Sequence, residues 1–586
     1  MGKRSLRLFI FLLSIALPYI PVWAEVPEDA PPDGGFIERS LAPVEVPVEI
    51  MMMLEIEKHK PKPILPAEKV FIKEVDVVGV NLLSDKEIAE ITEEFTNRQL
   101  SGKDMQRCAD QISDKYSIKG YITSYVYIEP EALKDGVLKI QAVEGKIGEV
   151  KIEGNKYFSD EVYLARLDIQ SGDIFNYKQL TNYLFRTNRH MDRKASIKVE
   201  PTDNLEYTDI TVTVKDKLPV HFTFDHDNYG SQFILQKRFK QYLIFNNLTG
   251  HDDYFSLHWQ FGQANAHKLF DWDYRLPLNN TWLWQLYYMP YKKEDYYDQN
   301  KETMNFQKTA RKWYTYFYQT LYDDPGGMFQ FNYGFVYKFI NWWAWGQKQK
   351  KDQFCAFLYG LNWVRNDDYG TWAIRNDAEK GVPDMWGASH AEDSSCSVKG
   401  AGSKYFKDEV YIARRQKLIW DADFLLKLQG QYTTQATTGV NVFSIGGLMG
   451  TIDSRGYPRA SMPMDSGWYY MTTLRFPFYL LPKDARIPNI DDNVYKNLRL
   501  FIFYEYAKGY KRSTKTVAEK IGFLPLNTTR TDDVKRNSLR SAGFGFTWNL
   551  PKIGMSMRFD AGWPLDHRLP MDGDHAHLWY RVTQTF

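Results

Sequence analysis

Cysteine is scarce in this chain of 586 residues, with only Cys108, Cys355 and Cys396 present. That excludes a disulfide-dense scaffold, and the spacing resembles no metal motif. Cys355 and Cys396 would be free to pair in an oxidising compartment, although isolated thiols are the simpler reading. An excess of one charge is also missing: 74 Lys and Arg stand against 73 Asp and Glu. A net charge of +1 leaves no electrostatic footprint for nucleic acid. No second long apolar run follows the first two dozen residues, and mean hydropathy is −0.48, which excludes a bundle of membrane helices. There is no Gly-x-x-x-x-Gly-Lys-Ser/Thr loop, no Gly-x-Ser-x-Gly and no His-Glu-x-x-His, so no catalytic residue and no cofactor is expected. His575 and His577 share a face near the end of the chain, but without a third ligand in view no metal is expected there.

Aromatic residues are abundant, at 16%. A polar average with that aromatic load fits many amphipathic strands, as in a membrane β-barrel with aromatic girdles. A secreted carbohydrate-binding protein would share this composition.

Residues 1–24 read as a secretory signal peptide. Lys3, Arg4 and Arg7 precede the apolar stretch Leu8 to Leu17, and a small residue, Ala24, offers the cleavage point. Residues 25–68 form a Pro-rich linker, with nine Asp or Glu against one Arg between residues 25 and 57. Such a segment cannot bury a core. Whether it forms a short plug helix, over Gly35–Leu41 or Met51–Lys58, stays open.

An internal repeat follows. Val75, Gly79, Ser84 and Asp85 recur as Val150, Gly154, Ser159 and Asp160, each at an offset of 75. Each copy opens with a short alternating strand, turns at its glycine and starts a helix capped by serine, with Ser84 and Glu87 making a capping box. Second helices are expected over Lys103–Ile118 and Tyr177–His190. Strand pairs are expected at Tyr121–Ile128 with Gly136–Val143, and at Ala195–Glu200 with Tyr207–Val214. The order β-α-α-β-β, twice, gives two small α+β modules, 69–145 and 146–216.

From residue 217 onward the pattern is strands only. Phe255, Leu257, Trp259 and Phe261 alternate with polar or small residues, as do Phe329, Phe331, Tyr333 and Phe335, and Ala542, Phe544, Phe546 and Trp548. Asp271, Asp273, Asp421 and Asp423 would then face a wet lumen, while Leu578, Tyr580, Val582 and Phe586 share the opposite kind of face. The 370 residues 217–586 suit a transmembrane antiparallel β-barrel of roughly 14 to 18 strands. The competing reading is an array of soluble β-sandwiches.

Residues 444–467, containing Arg455, Gly456 and Tyr457, read as a long loop rather than a strand, with Gly456 permitting backbone geometry other residues resist. Near the end, Arg558, Asp560 and Gly562 fall on the inward face of an alternating strand. A buried carboxylate needs a partner, and Arg455 or the neighbouring Arg558 is a candidate for Asp560.

In combination these features resemble the TpsB transporters of two-partner secretion, a family in the superfamily of the outer-membrane barrel-assembly insertase. The resemblance covers roughly residues 70–586. Lys119-Gly120-Tyr121-Ile122-Thr123-Ser124 onward to Pro130, and Asp135-Gly136-Val137-Leu138 onward to Glu144-Gly145, resemble the family's first-module signature. Asp227-Asn228-Tyr229-Gly230-Ser231 resembles the opening of the first barrel strand, Arg455-Gly456-Tyr457 the tip of the lumen loop, and Leu474-Arg475-Phe476-Pro477 the strand after it. The chain departs from the pattern at Ser454, where an aliphatic residue is usual, and at Arg558, where an aromatic or Gly often stands. Residues 342–407 match no part of it and are expected to hold an enlarged loop.

The resemblance implies two POTRA modules in the periplasm attached to a barrel of about 16 strands in the outer membrane. It implies capture of an unfolded exoprotein client by the modules and its passage through the barrel, with Arg455 anchoring the lumen loop through Asp560. The expected partners are that client and outer-membrane lipid, with no nucleic acid and a monomeric chain. An exposed strand edge in each module would add an extended client strand. Alternatives of other classes are an insertase for other barrels, a passive channel and a secreted glycan-active enzyme.

Overall fold

The computed structural model describes residues 50–52 and 68–586, except 205, 232–233, 235, 298–301, 391–392, 399, 439–440, 449–452, 512–536, 567–569 and 571. The expected signal peptide and most of the linker lie outside the described residues. The described residues fall into two units, 50–218 and 219–586.

In the first unit, strand β1 (Ile50–Met52) precedes the two modules. Met51 and Met52 are therefore extended rather than helical, and the remainder of that candidate helix lies outside the described residues. Module 1 runs through β2 (Val70–Ile72), β3 (Glu74–Val78), α1 (Asp85–Thr92), β4 (Arg98–Leu100), α2 (Gly102–Ile118), β5 (Tyr125–Lys134) and β6 (Val137–Val143). Its sheet has the order β3-β6-β5, and β2 pairs with β4.

The helices start where the sequence satisfies the first amides. Ser84 and Glu87 close one capping box, and Ser101 and Asp104 close a second. Along α2, Met105, Cys108, Ala109, Ile112 and Tyr116 are all completely buried, a three- and four-residue spacing that puts one face on the sheet. Burial of Met105 and Ile112 contributes about 1.5–3 kcal/mol each. The strand expected from Tyr121 begins instead at Tyr125, because residues 121–124 turn to meet the second module.

Module 2 comprises β7 (Lys146–Glu153), α3 (Asp160–Leu167), α4 (Tyr177–Asn188), β8 (Arg193–Pro201) and β9 (Tyr207–Asp216). Ser159 takes the N-cap position of α3, but its side chain makes no capping bond to the backbone. The sheet order is β1-β8-β9-β7, with β1 lying parallel to β8 and Ile50 opposite Ile197. The linker thus lends an edge strand to module 2, and the β8 edge is covered.

The second unit is a closed antiparallel barrel of sixteen strands. Its first six are β10 (Val220–Asp227), β11 (Arg238–Asn246), β12 (Tyr254–Gly262), β13 (His267–Pro277), β14 (Trp282–Tyr297) and β15 (Thr303–Asp324). Next come β16 (Gly327–Ala344), β17 (Gln347–Asp367), β18 (Gly370–Gly381), β19 (Phe406–Lys417) and β20 (Asp423–Thr433). A short hairpin, β21 (Phe443–Ile445) with β22 (Met462–Met464), stands inside the connection that follows. The wall resumes with β23 (Ser466–Pro477), β24 (Leu498–Tyr510) after the one-turn helix α5 (Val494–Asn497), β25 (Ser538–Leu550), β26 (Met555–Pro564) and β27 (His577–Thr585), which pairs with β10.

Period-two alternation places Phe331 and Tyr333 outward and exposed, with Asn332 between them buried. Asp271, Asp273 and Asp423 are buried on the inner face, whereas Asp421 belongs to the tight 418–422 turn and is solvent-facing. Residues 342–407 are not one enlarged loop: β17 and β18 occupy half of them, leaving 382–405 as the connection. Cys355 and Cys396 are both buried and unpaired.

Candidate functional site

The connection between β20 and β23 spans 434–465, longer than the expected 444–467 at its start, and is stiffened by the β21–β22 hairpin. Phe443, Ile445, Met462 and Met464 pack against Tyr469, Met471 and Ala507 of the wall. Glycines make room for them: a Cβ at Gly467 would stand 2.4 Å from the Phe443 ring, and one at Gly509 2.2 Å from Met464.

Beyond the hairpin the loop carries Arg455 into complete burial, at 1% exposure, and both facing carboxylates, Glu505 and Asp560, are at 0%. Arg455 Nη1 donates to Asp560 Oδ1 at 2.8 Å and Nε donates to Glu505 Oε1 at 2.7 Å. Its backbone N–H donates to Glu505 Oε2, also at 2.8 Å. The guanidinium lies over the Phe503 ring, 3.5 Å from its centroid. Arg558 Nε holds the second oxygen of Asp560 at 2.8 Å, and Ser541 Oγ donates to Glu505 at 2.6 Å. Two cations therefore meet two carboxylates with their polar atoms satisfied, the condition under which burial of charge is tolerated.

The rest of the tripeptide is seated as closely. Tyr457 OH donates to Asp566 Oδ2 at 2.7 Å, and Trp579 Nε1 donates to the Arg455 carbonyl at 2.8 Å. Gly562 lies directly beneath the Arg455–Gly456 peptide.

Asp227, Asn228, Tyr229 and Gly230 form the other half of the site. Asp227 accepts a two-pronged bond from Arg238, at 2.7 and 2.9 Å, and an ion pair from Lys240 at 2.7 Å. Asn228 stitches the first strand to the last: its Oδ1 accepts from Tyr580 N and its Nδ2 donates to Leu578 O, both at 2.8 Å. Tyr229 is fully buried against Trp579 and Leu448, and its carbonyl accepts from Arg459 of the lumen loop at 2.8 Å. Gly230 closes the turn with a bond to Gln236. The barrel seam and the loop tip thus share side chains.

The first-module motif lies at the joint between the modules. Glu144 accepts from the Asn81 and Leu82 amides, each at 2.7 Å, and from Tyr116 OH at 3.0 Å. Ser124 Oγ accepts from Gly145 N at 3.0 Å, and the Gly145 and Gly120 carbonyls accept from Phe175 N and Tyr177 N of module 2. A Cβ at Gly145 would stand 2.3 Å from Thr123 Oγ1. Tyr121 packs on the module 1 core and Ile122 on that of module 2. Gly136, at φ +83°, completes the turn between β5 and β6.

Glu505, Ser541, Trp579 and Arg459 escaped sequence reasoning. Glu505 sits in Tyr504-Glu505-Tyr506-Ala507, where an inward acid between outward aromatics was the available signal. His577 Nε2 is bonded to Asp572 at 2.8 Å, and Asp574 also lies near, so carboxylates rather than His575 surround it.

A model of the ShlB-type POTRA domain matches residues 70–145, one for a surface-antigen POTRA repeat matches 145–217, and one for the haemolysin secretion/activation protein ShlB/FhaC/HecB matches 206–489. The outer membrane transporter CdiB of Escherichia coli is 24% identical over 179 residues, 30% of each chain, so the chain spans about a third of the length of such relatives in alignment. The hemolysin transporter protein HpmB of Proteus mirabilis is 23% identical over 434 residues, 70% of this chain and 72% of its own. The solved structure of CdiB from Escherichia coli superposes with a TM-score of 0.69 at 18% identity, covering 90% of this chain and 93% of that one. With the modules, the sixteen-stranded wall and the seated loop all in place, the chain belongs to the ShlB/FhaC/HecB family of haemolysin secretion/activation proteins, the TpsB proteins of two-partner secretion, as an outer-membrane barrel with periplasmic POTRA modules.

Proposed function

We propose that this chain exports an unfolded protein client from the periplasm to the cell surface, and that the Arg455–Glu505–Asp560 clasp holds the lumen loop in its resting seat. The observation that carries the reading is this clasp inside a wall of sixteen strands. A wall of that size leaves an aqueous passage where an extended backbone can stay hydrated, and the buried polar residues here include Asp271, Asp273, Gln285 and Asn362. The fully buried loop tip blocks part of that passage until it is released.

The modules supply capture. A client segment adds as a strand along a sheet edge, bonding through its backbone with little demand on sequence. In module 2 the β8 edge already carries β1, so a client taking that edge displaces the chain's own linker. No residue in this scheme performs covalent chemistry, and folding of the client outside supplies direction.

The test compares culture-medium proteomes of cells with and without the chain. Loss of one large secreted protein, with other outer-membrane barrels at normal levels, is expected. Depletion of many barrels with an unchanged medium would instead make the chain an insertase.

A further inference from the structure

Strands β14 to β17 are 16, 22, 18 and 21 residues long, whereas about 9–11 residues cross a bilayer. With the modules in the periplasm, the rim where the chain enters the barrel at Val220 is periplasmic, and the same rim carries Asp324, Gly327, Asp367 and Gly370. Ten residues up β17 from Asp367 is Phe357, which places it at the outer interface.

At this level the outward face carries a packed aromatic cluster. Trp313 meets Phe335 at 5.5 Å between ring centroids, and Phe335 meets Phe357 at 5.6 Å. Trp386, from the 382–405 connection, reaches back to cover Trp313 at 5.6 Å and Phe335 at 5.4 Å, yet remains 58% exposed. Its backbone is held at φ +49°, a region bulky side chains avoid unless their surroundings impose it.

Above and beside this cluster lies a group of cations. Arg311 is exposed opposite Phe339, and the Lys348 and Lys351 ammonium groups stand 5.7 and 5.8 Å from the Phe339 ring centroid. Lys380 is exposed beside Phe357 in register. Among the described residues none of these four has an acid within 4.0 Å, although Asp393 in the neighbouring connection feels Lys351. Aromatic rings at an interface with unpaired cations just outside them match an acyl chain joined to an anionic headgroup.

We propose that this outer face of β15 to β18 is a docking site for a phosphate-bearing glycolipid of the outer leaflet. Its phosphates lie among Arg311, Lys348, Lys351 and Lys380, and its acyl chains run down the Phe335–Phe357 surface beneath Trp386. Guanidinium and ammonium groups suit phosphate, and the aromatic half of the patch lies at bilayer height, where a soluble partner does not reach. The site rests on the outer-membrane location and is independent of whether the barrel exports a client.

Native mass spectrometry of the full chain, titrated with bisphosphorylated lipid A and with its dephosphorylated form, tests it. The phosphorylated lipid is expected to bind about tenfold or more tightly over the dephosphorylated one, a comparison that needs no variant. The R311Q/K348Q/K351Q/K380Q variant, with folding checked by heat-modifiable gel mobility, is expected to erase that preference, and W386A to weaken binding of both forms. Equal binding of the two lipids by the native chain, or an unchanged preference in the folded quadruple variant, would overturn the proposal.

Discussion

Gly562 of the barrel wall lies flat against Arg455 of the lumen loop. A Cβ added at position 562 would come within 2.5 Å of both the carbonyl carbon and oxygen of Arg455 and within 2.8 Å of the Gly456 nitrogen. These are backbone atoms that cannot rotate away. The glycine is therefore required by proximity, since the loop tip could not sit so low over any larger residue.

Gly562→Ala should unseat the loop without disturbing β26, because an extended strand accepts alanine. Overpacking of this kind costs about 1–3 kcal/mol, enough to shift the loop away from its resting seat. Planar-bilayer recordings of the purified variant should show larger and more frequent open events than the parent. Parent-like conductance would mean that the tip accommodates the methyl and that this contact does not hold the loop.

Arg455→Ala should abolish client export while the barrel still reaches the outer membrane in normal amounts. Glu505→Gln leaves the arginine buried beside one carboxylate fewer, and breaking a buried pair costs about 3–5 kcal/mol. If the two groups act as one clasp, the double variant should be no worse than Arg455→Ala alone. Export scored against barrel level in isolated membranes checks both, and normal export by Arg455→Ala would remove the clasp from the mechanism.

Much of this architecture was legible in the sequence because strands announce themselves by period two and the modules by a repeat. Asp560 and Arg558 pointed inward for the same reason that Phe559 pointed out. Glu505 was hidden because its strand was not singled out and an acid between tyrosines has no fixed partner in sequence. Trp579 turns inward by the same alternation that turns Leu578 and Tyr580 out, but nothing in the sequence marks its partner, a loop carbonyl 124 residues away. Residues 342–407 looked foreign because β17 continues well past the bilayer, where the outward residues become Lys348 and Lys351 rather than apolar ones.

Module 1 should lose stability in acid through Glu87. The bond from Lys119 Nζ at 2.7 Å, and then those from Ser84, hold this carboxyl down at about 2. A carboxylate with a lowered value stabilises the fold above its unfolded range, near pH 4.5, and its contribution drains away as pH falls towards 2. Asp104, bonded by Ser101, and Glu161 of module 2, bonded by Ser159, are lowered too and act in the same direction. Urea titrations of the 44–218 unit followed by circular dichroism should show a falling midpoint between pH 4.5 and 2, with a shallower fall in Glu87→Gln. An equally steep fall in that variant would assign the acid sensitivity elsewhere.

The β1 strand makes the last prediction. It lies parallel along β8, pairing Ile50, Met51 and Met52 with Ile197, Lys198 and Val199, so an arriving client strand finds the edge taken. A tethered competitor acts at about millimolar effective concentration, which suppresses weak binding at that edge while leaving a well-matched client able to displace it. Removing residues 50–52 should therefore raise the affinity of the full chain for its client's extended segment, and should raise it most for segments that bind weakly. Lys198→Pro supplies the contrasting case: proline within β8 disturbs the strand itself, so it should weaken the segment whether or not β1 is present. Titrating a labelled client segment into the three proteins separates the outcomes. Unchanged affinity after the deletion, with affinity also unchanged in Lys198→Pro, would place capture on another edge, such as β5 of module 1, whose outer side carries no strand among the described residues.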